Sequence, residues 1–257
     1  MESRPFEIEA ALMICSDNAR AVAQAVSALA EIAGYSLLTQ GTDQLHVTHL
    51  DTPARTLNRK GFALRVRRLG AQNLLALKGE SQMTDWGGTK RLEVEGAWSP
   101  EIFDAIGRTL GEQGIRLGGW SPAFANTEPV STLRSLGLEV IQDREMSRET
   151  KHVAATDGKA FAELAIDRVT LHLRETDVIF YQVEIEVKGE AQSVALRAIV
   201  EALQAMHPSE LRAWRYGKLA TGLALERMAH DGELAVWLDV ERQITAALCD
   251  RLEAALQ

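Results

Sequence analysis

Apolar and charged residues alternate along many short segments of the chain, which is the pattern of β-strands with one apolar face. Between Gly61 and Arg68 every second residue is apolar, and Arg65 and Arg67 occupy positions between them. After a short turn, Leu74–Lys78 repeats the pattern and places Lys78 on the polar side. A hairpin would put these three cations on one surface, where like charges repel. The pattern therefore favours an anion or facing carboxylates between them.

Similar alternation predicts further strands over 6–14, 44–50, 91–95, 138–141, 144–153, 161–167 and 178–188. The segment 170–174 is predicted to form a hairpin with 161–167. Helical spacing and start signals predict helices over 17–33, 100–112, 192–206, 208–230 and 236–256, with a short one after Pro53. The stretch Gly114–Pro129 is the least regular and is expected to connect two halves, with a helical turn near 130–136.

Almost every predicted strand is apolar on one face and charged on the other. One explanation is an antiparallel sheet with helices on one side and water on the other. The alternative is a closed barrel with helices outside and charges inside. Glu-x-Glu pairs recur at 7/9, 93/95 and 184/186, and residues two apart on a strand lie roughly 6.5–7 Å from each other. Two such pairs could surround a hard divalent cation such as Mg²⁺.

Composition narrows the class of protein. The chain has 257 residues, 46% of them hydrophobic, and a net charge of −8, which argues against a general nucleic-acid binder. No apolar run approaches the roughly 20 residues of a membrane span. Cys15 and Cys249 lie far apart in the sequence, so we expect neither a disulfide framework nor a cysteine metal site, and predict a cytoplasmic protein. Four histidines on predicted strands (46, 49, 152 and 172) lack ligand spacing and are expected to be satisfied by the fold or exposed.

Eight motifs occur in an order that resembles the CYTH superfamily, the triphosphate tunnel metalloenzymes. They are Glu7-x-Glu9, Leu50-Asp51-Thr52-Pro53, Gly61-x-Ala63-Leu64-Arg65-x-Arg67, Lys78-Gly79, Arg91-x-Glu93-x-Glu95, Glu163-x-Ala165-x-Asp167, Glu184-x-Glu186-x-Lys188 and Gly217-Lys218. The resemblance covers about residues 5 to 228. It implies an α+β protein whose closed eight-stranded antiparallel β-barrel, or tunnel, has a charged interior and helices packed outside.

The resemblance also implies roles for individual side chains. Residues that would hold Mg²⁺ or Mn²⁺ are Glu7, Glu9, Glu184 and Glu186. Residues that would bind the phosphate oxygens of the substrate are Arg65, Arg67, Lys78, Arg91, Arg148 and Lys218. Residues that would orient these cations, or act on water as catalytic groups, are Glu93, Glu95, Glu163, Asp167 and Lys188. Such an arrangement neutralises charge in a phosphoryl transition state.

The chain departs from the family pattern at Ala11, where the first motif usually has lysine. Lys151, His152 or Lys188 could replace that lysine. The resemblance implies a metal-dependent hydrolase of inorganic triphosphate or a related triphosphate, such as ATP or thiamine triphosphate. A class IV adenylate cyclase is one alternative, and a non-catalytic polyphosphate- or nucleotide-binding tunnel, which Ala11 favours, is another.

The expected domain organisation is a CYTH-like domain over 1–228 followed by a C-terminal helical extension over 229–257. That extension could cap the tunnel, form a dimer, or be a linker, and packing on the barrel is the first choice. The expected partner is a small-molecule triphosphate, with no nucleic acid and no membrane. The sequence leaves a homodimer open.

Overall fold

A computed structural model describes residues 6–84, 86–118, 128–174, 176–188 and 193–257, without the side chains of Phe6 and Lys188. Its strands are β1 (Phe6–Ile14), β2 (Glu31–Ile32), β3 (Tyr35–Asp51), β4 (Ala63–Leu69), β5 (Gln72–Lys78), β6 (Gln82–Met83), β7 (Thr89–Ala97), β8 (Glu139–Ala154), β9 (Ala160–His172), β10 (Asp177–Lys188) and β11 (Leu211–Ala213). Its helices are α1 (Ala19–Ser27), α2 (Thr56–Arg59), α3 (Pro100–Glu112), α4 (Pro129–Ser135), α5 (Ser193–Met206), α6 (Lys218–His230) and α7 (Ala246–Leu256), with a 3₁₀ turn at Ala235–Trp237.

The strands hydrogen-bond in the order β11-β1-β10-β9-β8-β3-β4-β5-β7-β6, and β2 pairs with β3. Strand β1 also pairs with β7, so eight strands follow one another in a ring: β1, β10, β9, β8, β3, β4, β5 and β7. The sheet is antiparallel and the helices lie outside it. These observations confirm the predicted α+β class and the eight-stranded antiparallel arrangement.

The described chain divides into two compact units. One contains Gln44–Gln82 and Arg91–Arg144, and its core includes Leu64, Leu77 and the helical residue Phe103, all fully buried. The other contains Glu7–Asp43, Met83–Lys90 and Glu145–Gln257. In each unit the apolar strand face packs into the core, as the alternating pattern predicts.

The second unit has a core of its own. Leu12 and Ile14 of β1 and Ile185 of β10 are buried there, together with Val26 of α1 and Leu196 of α5. Each helix covers apolar strand residues because its own buried residues recur at helical spacing. The charged face of each strand therefore lies on the side away from these helices.

Several predicted boundaries are wrong in the first half of the chain. The first helix ends at Ser27 instead of residue 33, because residues 31–32 form β2, which turns through the positive-φ pair Ala33 and Gly34 and pairs with β3. Strand β3 accordingly begins at residue 35, nine residues before its predicted start. Part of the predicted connector, residues 119–127, lies outside the described residues.

The second half differs more. The predicted hairpin of 161–167 with 170–174 does not form, because Ala160–His172 is one continuous strand that pairs with β10. The predicted helix over 208–230 is helical only from Lys218 onward, because residues 211–213 form β11, which pairs with the end of β1. The predicted helix over 236–256 is a 3₁₀ turn and a separate helix that Thr245 caps through the Leu248 amide.

Cys15 and Cys249 form a disulfide, which contradicts the expectation that the sequence contains no disulfide framework. They are 234 residues apart in sequence, and tertiary contacts bring the end of β1 beside α7. The amide of Ala246 donates to Asp17, and the backbone of Ile179 in β10 exchanges hydrogen bonds with Arg242 and Ile244. The predicted cytoplasmic location loses the support of unpaired cysteines and stays a prediction. No helix in the described ranges is long and apolar enough to cross a membrane.

Candidate active site

The charged side chains of the first unit follow from the register of β4, β5 and β7. Ala76 of β5 pairs with Arg65 on one side and with Glu95 on the other. Directly opposed residues lie on the same face of a sheet, and alanine is too small to separate its two neighbours. Arg65 Nη2 therefore reaches Glu95 Oε2 at 3.1 Å, and Arg67 Nη2 lies 2.5 Å from Glu95 Oε1.

Lys78 lies two residues after Ala76 on β5 and pairs in register with Glu93. Lys78 Nζ lies 3.1 Å from Glu93 Oε1, and Arg65 Nη2 lies 3.5 Å from the same oxygen. Burial by itself would raise the pKa of the Glu95 carboxyl, but Arg65 and Arg67 outweigh it and hold that pKa below its ordinary value. The structure thus brings together five of the predicted cations and carboxylates of this unit. We call these five residues the first charged cluster.

The second unit contains another cluster. Arg148 donates two hydrogen bonds to the carboxylate of Asp167, from Nε to Oδ1 at 2.7 Å and from Nη2 to Oδ2 at 2.6 Å. The same Nη2 lies 2.6 Å from Glu184 Oε2. Lys218 Nζ, at the start of α6, lies 2.9 Å from Asp167 Oδ2 and also pairs with Glu184. We call Arg148, Asp167, Glu184 and Lys218 the second charged cluster.

Asp167 is fully buried. Burial alone would raise the pKa of its carboxyl, but Arg148 and Lys218 outweigh that effect and lower the pKa. Glu184 has alanines as cross-strand neighbours, Ala11 on β1 and Ala165 on β9. Small neighbours on both sides leave the space that the two long cationic side chains fill.

Three of the four predicted metal-binding carboxylates meet in this unit. Glu9 pairs in register with Glu186, and Glu7 is two residues from Glu9 on the same face of β1. Carboxylate oxygens of Glu7, Glu9 and Glu186 lie within 4.8 Å of one another. Glu7 and Glu9 are buried. Buried carboxylates at such separation suit a hard divalent cation, whose ligands are oxygens. The fourth predicted ligand, Glu184, is instead paired with the cations of the second charged cluster.

The remaining predicted residues are placed as follows. Glu163 lies opposite Glu186 in the β9–β10 register, beside the three carboxylates. Arg91 is partly buried on β7, two residues before Glu93 and on the same face. Lys188 ends β10 opposite Glu7, and its side chain lies outside the described part of the chain. Lys151, one of the residues that could replace the lysine missing at Ala11, donates to the carbonyl of Leu29 at 3.1 Å.

Sequence reasoning missed three buried polar residues of the first unit: His49, Gln142 and Arg144. The expectation that His49 is satisfied or exposed is wrong, since it is only 3% exposed and its Nδ1 has no partner among the described residues. Gln142 and Arg144 are separated from Arg148 by even numbers of residues on β8, so their side chains lie on the same face of the strand. That spacing could have identified them from the sequence. The Nη1 of Arg144 donates to Gln142 Oε1 at 2.7 Å.

Comparison with known proteins supports the family resemblance found in the sequence. The CYTH domain family matches residues 19–213, which is most of the chain, so this protein belongs to the CYTH family. No curated protein sequence matches it.

Solved structures resemble this chain to different degrees. A protein from Hippeastrum, described as a candidate adenylyl cyclase with a dominant triphosphatase activity, is 16% identical, with a TM-score of 0.54 over 85% of this chain and 95% of that one. A candidate adenylate cyclase from Vibrio parahaemolyticus is 17% identical, with a TM-score of 0.47 over 82% and 95%. An inorganic triphosphatase is 16% identical, with a TM-score of 0.28 over 74% and 78%. At 16% identity the likeness to the Hippeastrum protein shows a common fold.

Proposed function

We propose that this protein hydrolyses inorganic triphosphate or a related triphosphate compound with the help of Mg²⁺ or Mn²⁺. The observation that carries the proposal is the group of three carboxylates, Glu7, Glu9 and Glu186, in a unit that also carries Arg148 and Lys218. Carboxylate oxygens this close to one another form a ligand set that suits a hard divalent cation. Phosphoryl transfer to water needs both a metal and cationic side chains.

The three carboxylates would hold the metal. A bound divalent ion supplies charge that neutralises phosphoryl oxygens and lowers the pKa of bound water. Both Mg²⁺ and Mn²⁺ prefer oxygen ligands, which fits a donor set made of carboxylates alone. Glu184 stays a predicted ligand. Its ion pairs with Arg148 and Lys218 equally suit it to orienting those cations.

The cations would bind the phosphate oxygens. Arg65, Arg67 and Lys78 are held in place by Glu93 and Glu95, and guanidinium groups bind phosphate through paired hydrogen bonds. Fixed cations need little rearrangement when the charge of the reacting group grows, which is the basis of electrostatic catalysis. We assign Arg91 to the same role, and Glu163 and Asp167 to orienting the cations or the attacking water.

One observation favours a second candidate, a protein that binds polyphosphate or nucleotide without turnover. Ala11 stands opposite Glu184 in the β1–β10 register, where the family usually has lysine, and Lys218 pairs with Glu184 instead. A lysine held by two carboxylates is less able to act on the attacking water in place of the lysine that is missing at Ala11, so catalysis is affected more than binding. This candidate predicts tight binding with no phosphate release under any divalent ion.

The deciding experiment measures phosphate release from inorganic triphosphate and from ATP, each with Mg²⁺, Mn²⁺ or a chelator, and assays the ATP samples for cyclic AMP. We expect chelator-sensitive release from triphosphate. Cyclic AMP with pyrophosphate would instead indicate a cyclase, and binding without any product would indicate the non-catalytic candidate.

The carboxylate assignment is tested by Glu186→Gln. Removing one charge from the group should lower metal-dependent turnover at least a hundredfold, because second-shell changes alone cost 10–100-fold, and the metal concentration for half-maximal rate should rise. Glu139→Gln, an exposed carboxylate on β8, serves as the matched control and should change neither value. An unchanged metal dependence in Glu186→Gln would remove Glu186 from the ligand set.

A further inference from the structure

His49 is a buried titratable residue that the proposed function does not use. Its side chain lies in the first unit, near the end of β3, and is 3% exposed. Among the described residues nothing hydrogen-bonds to its Nδ1. Buried polar atoms are normally satisfied, so an exception points to a group that the protein binds.

The strand pairing shows which way His49 faces. Thr48 Oγ1 and His46 Nε2 both contact the carboxylate of Asp143 on β8, at 2.7 and 2.8 Å. Neighbouring residues on a strand project to opposite faces, so His49 and Arg144 lie on the other face. His49 is also directly opposite Arg65 in the β3–β4 register. It therefore shares its face with the first charged cluster.

The surroundings of His49 are cationic. Burial is the main cause that lowers the pKa of its imidazole well below the ordinary value, and Arg144, Arg65 and Lys78 lower it further. The imidazole is neutral at pH 7 as a result. Its neighbours Arg65 and Lys78 already contact the carboxylates of the cluster.

The acidic groups around His49 have other partners. Glu93 and Glu95 of β7 pair with Arg65, Arg67 and Lys78. On its own strand, Asp51 accepts hydrogen bonds from backbone amides of Thr52 and the α2 segment, Leu57 and Asn58. The charged groups that act on the neutral imidazole of His49 are therefore the cations Arg144, Arg65 and Lys78.

We propose that His49, together with Arg65 and Arg144, binds a phosphoryl group of the anionic ligand and takes up a proton when that group binds. This inference rests on the proposed function, because it names an additional binding residue for the same class of substrate. A second unused donor supports it: the Nε of Arg65 is buried and has no hydrogen-bond partner within the described ranges.

A phosphoryl group matches both features. Its oxygens accept hydrogen bonds, as the buried N–H groups of Arg65 and a protonated imidazole require. Its negative charge offsets the repulsion that keeps the imidazole neutral, so the protonated form becomes favourable after binding. Affinity should then rise as pH falls, since the bound state holds more protons than the free state.

The experiment compares wild type with His49→Gln by calorimetric titration, using an imido-bridged triphosphate analogue that resists hydrolysis, with Mg²⁺. Titration in two buffers of different ionisation enthalpy gives the number of protons taken up. We expect that wild type takes up as many as one proton more than the variant when the analogue binds. Wild type should also bind the analogue about tenfold more tightly than the variant at pH 6, and the difference should be smaller at pH 8. A tenfold change in affinity corresponds to one pKa unit. His46→Gln is the matched control, because His46 faces Asp143 on the opposite side of the strand.

Equal affinity and equal proton uptake in wild type and His49→Gln would overturn the inference while leaving the proposed function intact. A wild type that does not bind the analogue at any pH would overturn the proposed function itself. If the variant does not fold, the imidazole signal of His49 in the NMR spectrum of wild type decides. A signal that moves to the protonated position with the analogue supports the inference, and a signal that stays neutral at saturation overturns it.

Discussion

Asp167 shows how single residues control the second charged cluster. Its carboxylate is fully buried and accepts three hydrogen bonds or ion-pair contacts from two cations, Arg148 and Lys218. An isolated buried charge is strongly unfavourable, whereas a paired and hydrogen-bonded one is tolerated. The cluster is therefore stable only as a complete set, and removing one cation leaves a buried acid with half its partners.

We expect Arg148→Met to lower the free energy of unfolding by about 3–5 kcal/mol at pH 7, the usual cost of breaking a buried ion pair on one side. The pKa of Asp167 is lowered in the folded protein, so the stability it contributes is present above its unfolded pKa of about 4 and is lost as pH falls through the folded value. The difference between wild type and variant should be largest at neutral pH and narrow below about pH 4.

Urea unfolding at several pH values measures this difference. Arg197→Met is the matched control, because Arg197 forms an exposed pair with Glu201 one helical turn away, at 2.8 Å, and such pairs contribute little. A variant at position 148 that matched the control at pH 7 would show that the cluster does not stabilise the fold.

At the scale of elements, the turn before β4 positions the first charged cluster. Gly61 has φ +74°, and a β-carbon there would lie 2.9 Å from Cβ of Glu80. A left-handed conformation disfavours other residues, and the close approach adds a steric conflict. Gly34, with φ +81°, has the same kind of backbone but no atom within 4 Å of the added carbon.

The two glycines make a controlled pair. Gly34→Ala should cost about 1–2 kcal/mol, the usual penalty of the left-handed region for an L-residue. Gly61→Ala should cost at least about 1 kcal/mol more, because overpacking a close contact typically costs 1–3 kcal/mol. Chemical denaturation of both variants gives the comparison. Equal losses would mean that Glu80 moves away without cost.

At the scale of the whole molecule, the Cys15–Cys249 disulfide joins the end of β1 to α7, with both cysteines buried. A crosslink between distant residues reduces the freedom of the unfolded chain. The C-terminal segment is also held by backbone hydrogen bonds between Ile179 and residues Arg242 and Ile244. The division of the chain at residue 228 into a domain and an extension stays a prediction.

Cys249→Ala should lower the free energy of unfolding by about 2–4 kcal/mol, the usual effect of losing a disulfide. Wild type that is denatured, reduced and refolded with reductant should show the same loss, and reductant should not affect the variant. Urea unfolding with a thiol count checks both statements. Reduced wild type that is as stable as the oxidised protein would contradict the expectation.

Much of the candidate site could be predicted from the sequence. Strands with period-two patterns, such as β1 and β4, were predicted nearly to the residue because their faces differ sharply in polarity. Helix α3 was predicted with its correct bounds because Ser99 caps it and Pro100 begins it. The order of charged motifs identified the family, which the CYTH match over 19–213 confirms.

The rest depended on contacts between distant residues. His49 and Arg144 stand on strands far apart in sequence, and only the sheet places them on one face. Strand β11 is too short for a reliable pattern, and it forms because β1 offers it a partner. A helix and a strand compete for such segments, and tertiary pairing decides between them.

The sequence by itself determined the class of fold, the alternation of apolar and charged strand faces and the residues that carry charge, because side-chain direction in a strand follows directly from position. The tertiary structure decided the partners. It grouped Glu7 and Glu9 with Glu186, paired Glu184 with Arg148 and Lys218, and joined the cysteines. Pairing is set by strand register and by small residues such as Ala11 and Ala76, which no local pattern specifies.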